Sequence, residues 1–524
     1  MRTKFYPYLV IFLLFILGYS CKKDDANSAD PALNISRTDL QVGNDAGYTD
    51  TVVIQSNIDW TLSVSDEASA WLSVDPVKKT AGDSTIVTIK VIAANNSSSQ
   101  TATITITPAG SDLQPRQINI TRKAYNLVWQ KCYGGSEDDL CFGTALLPNG
   151  QLVTAGMAYS TDGDLAGLTY YPTGWVMGAG SDGNRLWQKK VEPIGVQYRS
   201  ITTSPDGGTV SLGYAAASQT YWYTDFFVVK FDANGNLVWN KQYGGLLAET
   251  PVKIISTADG GYVLAGTTYS NDGDFSTNHG GVDICIIKID ANGGVVWQKT
   301  FGGDKDENIG TIGACSDGSF IVYGMTASNN SGDVGTNHGI NDLLVIKIDA
   351  SGNKIWSKTL GGSRAEIPAA VIGDTDGGCI VTASTMSTDG DLAMRSGSDI
   401  DTWVVKFTKD GQIGWQSILG GTGVEVPTDM ERLPNGNIAL AGSIVSTDGV
   451  VTGSHGGGDV WVAVLNSWGK IVWQKAFGST LSDNTQDVTT GADGSIMVTS
   501  LVNGNDGDVS GNHGKRDTWI FKLQ

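Results

Sequence analysis

Carboxylate residues recur at one position of a repeat that fills most of this 524-residue chain. A tryptophan returns at intervals of 52 to 59 residues, and ten residues after six of the seven tryptophans stands an acidic residue. Acids that a fold brings together can bind cations or hydroxylated ligands, or they can accept hydrogen bonds from nearby backbone amides. The sequence leaves both interpretations open. The members of the set are Asp139, Glu249, Glu307, Glu366, Glu425 and Asp483, with Gln197 at the seventh position.

A second acidic set follows an Asp-Gly-Asp pattern, in which two aspartates two residues apart precede a third nine residues further on. Such oxygen ligands suit Ca²⁺, which is therefore the one candidate cofactor. The alternative is that Asp-Gly forms a turn with positive φ and that the aspartates cap loop amides. All four histidines of the chain fall in this loop family, without the spacing of a zinc site. The candidate metal ligands are Asp272, Asp274, Asp283, Asp506, Asp508 and Asp517.

An aromatic cluster replaces the Asp-Gly-Asp loop in the second repeat unit. Its residues are Tyr221, Trp222 and Tyr223. Because an exposed cluster in an irregular unit can stack on a sugar face, these residues are candidate ligand contacts, together with Glu249, Glu307, Glu366 and Glu425.

Sequence motifs of known catalysts are absent: there is no GxSxG, HExxH or Walker pattern. We therefore assign no catalytic residue. Acids from different repeat units could still meet as the carboxylate pair of a glycoside hydrolase.

The repeat predicts the elements that position these residues. Each unit contains four short strand patterns separated by Asp-Gly or Asn-Gly turns, which is the composition of a propeller blade. Seven tryptophans predict seven blades over residues 125–524. The chain ends on a third strand, 517–523, and the repeat region begins on a fourth, 126–133, so the last blade is expected to close with the first strand. The repeated acids would then lie at the mouth of the central channel.

Residues 32–124 alternate polar and apolar positions in Val-, Ile- and Thr-rich segments, which predicts a small antiparallel β-sandwich. The whole chain is thus expected to be all-β, with two domains. The net charge of −19 disfavours nucleic acid as a partner.

The N-terminus has two basic residues followed by the apolar run 5–17, a pattern that is typical of a secretory signal. Gly18-Tyr19-Ser20-Cys21 resembles the lipobox of bacterial lipoproteins, which implies a signal peptide at 1–20, acylation of Cys21 and an acidic tether at 21–31. Of the five other cysteines, only Cys132 and Cys141 are close enough in sequence to suggest a disulfide.

Three family resemblances extend this interpretation. Asn57–Trp60, Trp71–Pro76 and Thr101–Ile106 resemble the BACON domain, which implies a carbohydrate-binding or spacer module at 32–124. The Gly, Trp and Gly spacing around Trp239 and Trp297 is similar to the tryptophan-docking repeat of quinoprotein propellers. The Trp-Gln-Lys and Asp-Gly-Gly-Tyr phrases resemble secreted and lipid-anchored seven-bladed propellers of Bacteroidota.

Together these features predict a monomeric, non-catalytic lipoprotein of the outer membrane, exposed at the cell surface and attached to the membrane through its lipid alone. It would bind a glycan or a surface protein through the propeller face. The alternative is a polysaccharide lyase or glycosidase that uses carboxylates at the channel mouth.

Overall fold

A computed structural model describes residues 30–95, 97–166, 173–191, 195–216, 224–275, 277–446 and 455–524. This part of the chain is all-β, apart from three single 3-10 turns at Asp66–Ala68, Gly163–Leu165 and Gly390–Leu392. Among these residues, none of the helical segments has the length and apolar character that a membrane crossing requires.

The N-terminal strands form two facing sheets, as the alternating pattern predicts. One sheet has the strand order β1-β3-β7-β5 and the other β2-β9-β8-β4-β6. All pairs are antiparallel except β2 with β9. Trp60 and Trp71 are buried in the core between the two sheets. The strand bounds are β1 Leu33–Ile35, β2 Asp39–Gln41, β3 Thr49–Ser56, β4 Trp60–Val64, β5 Leu72–Asp75, β6 Lys78–Lys79, β7 Gly82–Val91, β8 Gln100–Pro108 and β9 Arg116–Arg122.

The repeat region forms four-stranded antiparallel sheets, one per unit. Six sheets consist of four consecutive strands each. A seventh has the order β10-β37-β36-β35, because the first strand of the region pairs with the last. The bounds are β10 Leu127–Tyr133, β11 Asp139–Leu146, β12 Leu152–Ala158, β13 Thr173–Ala179, β14 Arg185–Val191, β15 Gln197–Thr203, β16 Thr209–Ala216, β17 Thr224–Phe231, β18 Leu237–Tyr243, β19 Glu249–Ser256, β20 Tyr262–Thr268, β21 Asp283–Ile289, β22 Val295–Phe301, β23 Glu307–Ala314, β24 Phe320–Thr326, β25 Asp342–Ile348, β26 Lys354–Leu360, β27 Glu366–Gly373, β28 Cys379–Thr385, β29 Asp401–Phe407, β30 Ile413–Leu419, β31 Glu425–Arg432, β32 Ile438–Ile444, β33 Asp459–Leu465, β34 Ile471–Phe477, β35 Asn484–Thr490, β36 Ile496–Val502 and β37 Asp517–Leu523.

Consecutive sheets contact each other through their first strands. β11 contacts β15, and each later first strand contacts the first strand of the next sheet, up to β31 with β35. β35 in turn contacts β11. The middle strands are apolar on both faces, as in β21 and β25, because each is covered by the sheets before and after it.

The repeat tryptophans join neighbouring sheets at their outer edge. The Trp239 indole N–H donates to the Ala291 carbonyl in the turn of the next sheet, at 3.2 Å. Trp129 on β10 donates in the same way to Ser181. The turn glycine beside each ring has a positive φ, as at Gly352, where a Cβ would lie 3.0 Å from Trp297.

The sheets have two distinct ends. The loop that enters each first strand and the loop between the second and third strands lie together, since Asp274 N–H donates to the Gly244 carbonyl. We call this the loop end. The tight turns between the first two and the last two strands form the turn end. The N-terminal sheets lie against the turn end, where Asn437 Nδ2 donates to Gln41 Oε1 at 2.8 Å.

Candidate functional site

The repeated acids lie buried between sheets at the loop end. Glu249 is fully buried; its Oε2 accepts a hydrogen bond from Gly245 N–H at 3.0 Å and its Oε1 accepts one from Thr268 Oγ1 at 2.8 Å. Glu307 and Glu366 make the same two contacts in their own units, and Glu425 accepts from the corresponding glycine. These contacts are the amide capping that the sequence left open as the alternative. A direct contact of these glutamates with a ligand stays a prediction.

Each repeated acid faces an aspartate from the preceding sheet. Gly302 shows the arrangement: a Cβ added there would lie 2.2 Å from Asp283 Oδ1 and 2.7 Å from Glu307 Oε2. A glycine occupies this position beside each of six such carboxyl pairs, because any side chain would enter the space between the two acids. The pairs are Asp225 with Glu249, Asp283 with Glu307, Asp342 with Glu366, Asp401 with Glu425, Asp459 with Asp483, and Asp517 with Asp139.

At the seventh junction, the described residues form no acid pair. Here Thr173 begins the third strand, and Val196, rather than Gln197, occupies the position of the repeated acid. The register differs because the second unit reaches its first strand one residue early. Counting ten residues from the tryptophan therefore selected the wrong residue at Gln197. Both acids are missing from the same junction, so the chain keeps them only as pairs.

In five of the six pairs, one aspartate oxygen has no donor among the described residues. Asp225, Asp283, Asp342, Asp459 and Asp517 each have a buried Oδ1 to which no described residue donates a hydrogen bond. Burial, with a smaller contribution from the Glu249 charge, raises the pKa of Asp225 to about 6. Burial also raises the pKa of Asp283 and of Asp517. A proton shared by the two carboxyl groups of a pair supplies the hydrogen-bond donor that the aspartate Oδ1 otherwise lacks.

The Asp-Gly-Asp loops form capped turns. Asp272 Oδ1 accepts from Leu246 N–H at 2.8 Å, and Asp274 Oδ2 accepts from Gly244 N–H at 3.0 Å. Gly273 between them has φ of 62°, and a Cβ there would lie 2.4 Å from a carbonyl oxygen. Asp506 caps Thr480 in the same manner, and Asp508 Oδ2 has His455 Nε2 at 3.8 Å.

The histidines of these loops point to the paired aspartates. His279 Nδ1 lies 2.9 Å from Asp283 Oδ2, and His513 Nδ1 lies 2.7 Å from Asp517 Oδ2. Within the described ranges, no three His, Cys, Asp or Glu side chains are grouped to hold a metal ion. Five of the six predicted ligands have oxygens that accept loop hydrogen bonds or face another carboxyl group, whereas Asp508 Oδ2 accepts no hydrogen bond from the described residues. Binding of Ca²⁺ at these loops stays a prediction.

Some predicted sites lie outside the described residues, namely Tyr221, Trp222, Tyr223 and Cys21. Cys132 and Cys141 are both buried free thiols, so the suggested disulfide is not formed.

A cavity of about 500 Å³ lies in the middle of the sheets and is lined by the second halves of all seven first strands. Each first strand has a bulge, and the residue directly after it is small or neutral in four sheets, as at Gly143 and Ala370. In the other three sheets this residue is charged: Lys253, Asp429 and Asp487. The cavity therefore breaks the regularity of the repeat, and it is the candidate functional site.

The acids of the cavity are held by the following sheet. Asp487 Oδ2 accepts from Thr144 N–H at 2.5 Å, and Glu431 Oε2 accepts from Thr490 N–H at 2.6 Å. Asp429 lies farther from its donor, with 3.4 Å between its Oδ2 and the Val488 amide. These backbone contacts fix the carboxylates in the cavity wall.

Burial and neighbouring charges shift the pKa values of groups in this cavity. Burial raises the pKa of Glu431 to about 7, and burial together with Asp429 raises the pKa of Asp487. Asp429 raises the pKa of Lys253, although no ion pair within 4.0 Å joins that ammonium to a carboxylate of the described residues. Lys253 thus faces the acids across open space.

The sequence contains a signal for this site that repetition obscures. Lys253, Asp429 and Asp487 each stand fourteen residues after a repeat tryptophan. The regularity of the repeat points to positions that all units share, whereas the charged cavity residues depart from the repeat.

Comparisons with known proteins find similarities at low identity. No family model matches the chain. An uncharacterized WD repeat-containing protein of Acanthamoeba polyphaga mimivirus is 22% identical over 202 residues, which cover 32% of this chain and only 14% of that protein. A puromycin hydrolase structure has a TM-score of 0.44 at 12% identity, covering 70% of this chain and 51% of the hydrolase. A protein of unknown function from Dyadobacter fermentans has a TM-score of 0.41 at 11% identity, covering 76% of this chain and 99% of that one.

These similarities are too low to assign an activity, a ligand or a partner. The sheets themselves define the class: the chain is an all-β repeat protein whose four-stranded antiparallel sheets are of the β-propeller type.

Proposed function

We propose that this chain is a lipid-anchored surface protein of the outer membrane that binds a glycan or a protein partner with its repeat region. The lipobox resemblance at Cys21 supports the anchor. Residues 21–31 would be the tether, and the BACON-like sheets of 32–124 would hold the repeat region away from the lipid.

The repeat region in this proposal is a closed, seven-bladed propeller over residues 125–524. Three contacts support closure. β10 pairs with β37 from Leu127 to Tyr133, and β35 contacts β11 as the other first strands contact their neighbours. The Trp129 hydrogen bond to Ser181 repeats the contact between the other blades.

The central cavity carries the binding proposal. A purely structural ring would keep the same small residue after each bulge, whereas Lys253, Asp429 and Asp487 place charge there in three blades. Buried charge costs free energy, so its retention in a cavity favours a ligand that uses it.

A cavity-filling substitution tests this function on an array of neutral and charged glycans. Ala314 is exposed in the cavity wall, so Ala314→Trp should block the site without disturbing a packed core. Ala291→Trp, in an exposed turn, is the matched control. Array signals should disappear only with Ala314→Trp. Equal signals from both variants would contradict binding in the cavity.

One observation favours the enzymatic alternative. Asp429, Glu431 and Asp487 come from two blades and meet in one cavity, and Glu431, with a pKa of about 7, can exchange a proton near neutral pH. A polysaccharide lyase or glycosidase could use such a group as its acid. Release of reducing ends or unsaturated products from a polysaccharide, lost in Glu431→Gln, would establish the enzyme in place of the binding protein.

A further inference from the structure

Arg199 lies at the junction where the described residues form no acid pair. It is the bulge residue of β15, between Tyr198 and Ser200, and it lies on the loop-end side of the central cavity, because Ile201–Thr203 further along the strand line that cavity. The bulge residues of the other six first strands are all uncharged. They are Phe142, Val252, Gly310, Ala369, Thr428 and Gln486.

Two aromatic rings hold the Arg199 guanidinium. Its Cζ lies 4.7 Å from the centre of the Phe142 ring on the neighbouring sheet and 5.4 Å from the centre of the Tyr214 ring on its own sheet. The Tyr214 hydroxyl donates to Gln197 Oε1 and accepts a hydrogen bond from Arg199 Nη2 at 3.5 Å. These contacts orient the guanidinium but use only one of its five N–H donors.

The guanidinium of Arg199 lacks the acceptors that comparable arginines have. Four other buried or partly buried arginines of the described residues pair with an aspartate, and a fifth, Arg122, donates to two carbonyl oxygens. The four are Arg37, Arg395, Arg432 and Arg516. Arg199 has neither kind of partner within the described ranges, although the chain has 54 acidic residues against 35 basic ones. Its N–H groups are therefore available to an anion from solution.

We infer that Arg199 binds the carboxylate of an acidic sugar on the loop-end side of the central cavity. A guanidinium held by its faces presents its edge, where paired N–H groups match the two oxygens of a carboxylate. The Gln197 amide and the Tyr214 hydroxyl beside it suit the hydroxyl groups of a sugar, and the partly exposed Phe142 ring suits its apolar face.

The inference rests on the proposed function and gives its ligand a class, namely a glycan that contains a uronate. At physiological ionic strength, charges separated by more than about 8 Å are largely screened from each other. The guanidinium in contact with the ligand, rather than the net charge of −19, therefore decides whether the carboxylate binds.

Calorimetric titration of the full chain at physiological salt tests the inference with trigalacturonic acid and its methyl ester, which has the same sugar rings without the charges. The acid should bind at least about tenfold more tightly than the ester. Arg199→Gln should abolish this preference. Arg199→Lys keeps the charge but loses the paired N–H groups, so it should weaken binding of the acid by about tenfold. Tyr214→Phe, which keeps the ring and loses the orienting hydroxyl, should weaken it by about threefold.

Arg364→Gln is the matched control and should change nothing, because Arg364 is an exposed arginine in the loop that enters β27 at the same end of the sheets. If Arg199→Gln fails to fold, Arg199→Lys remains decisive, since it keeps a cationic side chain between the two rings. Equal binding of the acid and the ester, or unchanged binding of the acid in the Arg199 variants, would overturn the inference.

Two further outcomes separate the ligand class from the proposed function. A hexaglutamate peptide that binds as tightly as trigalacturonic acid, with the same loss in Arg199→Gln, would overturn the assignment to a sugar. Neutral glycans whose binding Ala314→Trp blocks, together with no binding of trigalacturonic acid, would overturn the inference and leave the proposed function intact.

Discussion

The acid pairs at the loop end predict that the repeat region becomes more stable as the pH falls. Asp225 illustrates the sign. Its pKa rises from 3.8 to about 6, so the folded chain binds more protons than the unfolded chain between these values. The contribution of this carboxyl to the free energy of unfolding is therefore fully present below about pH 4, and it is lost as the pH rises through 6. The charged groups facing this carboxyl are Glu249 and Asp274, with Gln242 donating to its Oδ2 at 2.9 Å.

Asp225→Asn should remove this loss of stability at high pH, because an amide does not ionise. A rise of about two pH units in pKa corresponds to about 3 kcal/mol, and solvent around the partly exposed carboxyl reduces this to about 1–2 kcal/mol. The new amide can also donate to Glu249 from the position of the unpartnered Oδ1. The variant should match the wild type near pH 4 and exceed its free energy of unfolding by about 1–2 kcal/mol at pH 8.

Urea unfolding followed by tryptophan fluorescence from pH 4 to pH 8 measures this difference. Asp232→Asn is the control with the opposite sign, because Asn236 and Asn234 hold the pKa of this turn aspartate below its usual value. That variant should be less stable than the wild type by a nearly constant amount from pH 4 to pH 8, because the wild-type carboxyl is already ionised in this range, and the difference should shrink only below about pH 4. An Asp225→Asn protein that is less stable than the wild type by the same amount at every pH would refute the shared-proton reasoning.

Four further outcomes are expected. Gly302→Ala should lower the melting temperature by several degrees, because its Cβ would enter the space between Asp283 and Glu307; an unchanged melting curve would contradict the packing. EDTA should leave the melting temperature unchanged, since Asp272, Asp274 and Asp506 already accept hydrogen bonds from loop amides; a clear fall would support Ca²⁺ in these loops. A chain that begins at residue 134 should aggregate and lose cooperative unfolding, whereas one that begins at 125 should not, because only the first lacks the partner of β37; equal behaviour would argue against closure. Cys21→Ala should abolish palmitate labelling and membrane association, and a wild-type protein that takes up no label would exclude the anchor.

The strand pattern was largely predictable from the sequence because each repeat unit carries its own turns and its own alternation. The expected third strand at 517–523 is β37, and the expected fourth strand at 126–133 is β10, which spans Leu127–Tyr133. These elements depend on local signals. The pairing of β10 with β37 was also accessible, because counting strands within the repeat leaves one at each end.

The candidate site was not predictable in the same way. Side-chain direction in each first strand depends on the bulge, which moves the next residue relative to its partner strand. Lys253 and Asp487 are separated by four repeat units, and only the packing of the sheets against one another places them in a common cavity. The assignment of Gln197 to the repeated-acid position was wrong for a related reason. Counting residues from the tryptophan does not detect a one-residue change in loop length.

The pairing of β10 with β37 has a consequence for how this protein is made. During synthesis the strand Leu127–Tyr133 emerges almost 400 residues before its partner Asp517–Leu523. Contacts at such sequence separation form slowly, because a long loop must close before they contribute any stability. Until then β10 has an unpaired edge that can recruit another copy of the chain. The yield of folded protein should therefore depend on chain concentration and on chaperones that cover this strand.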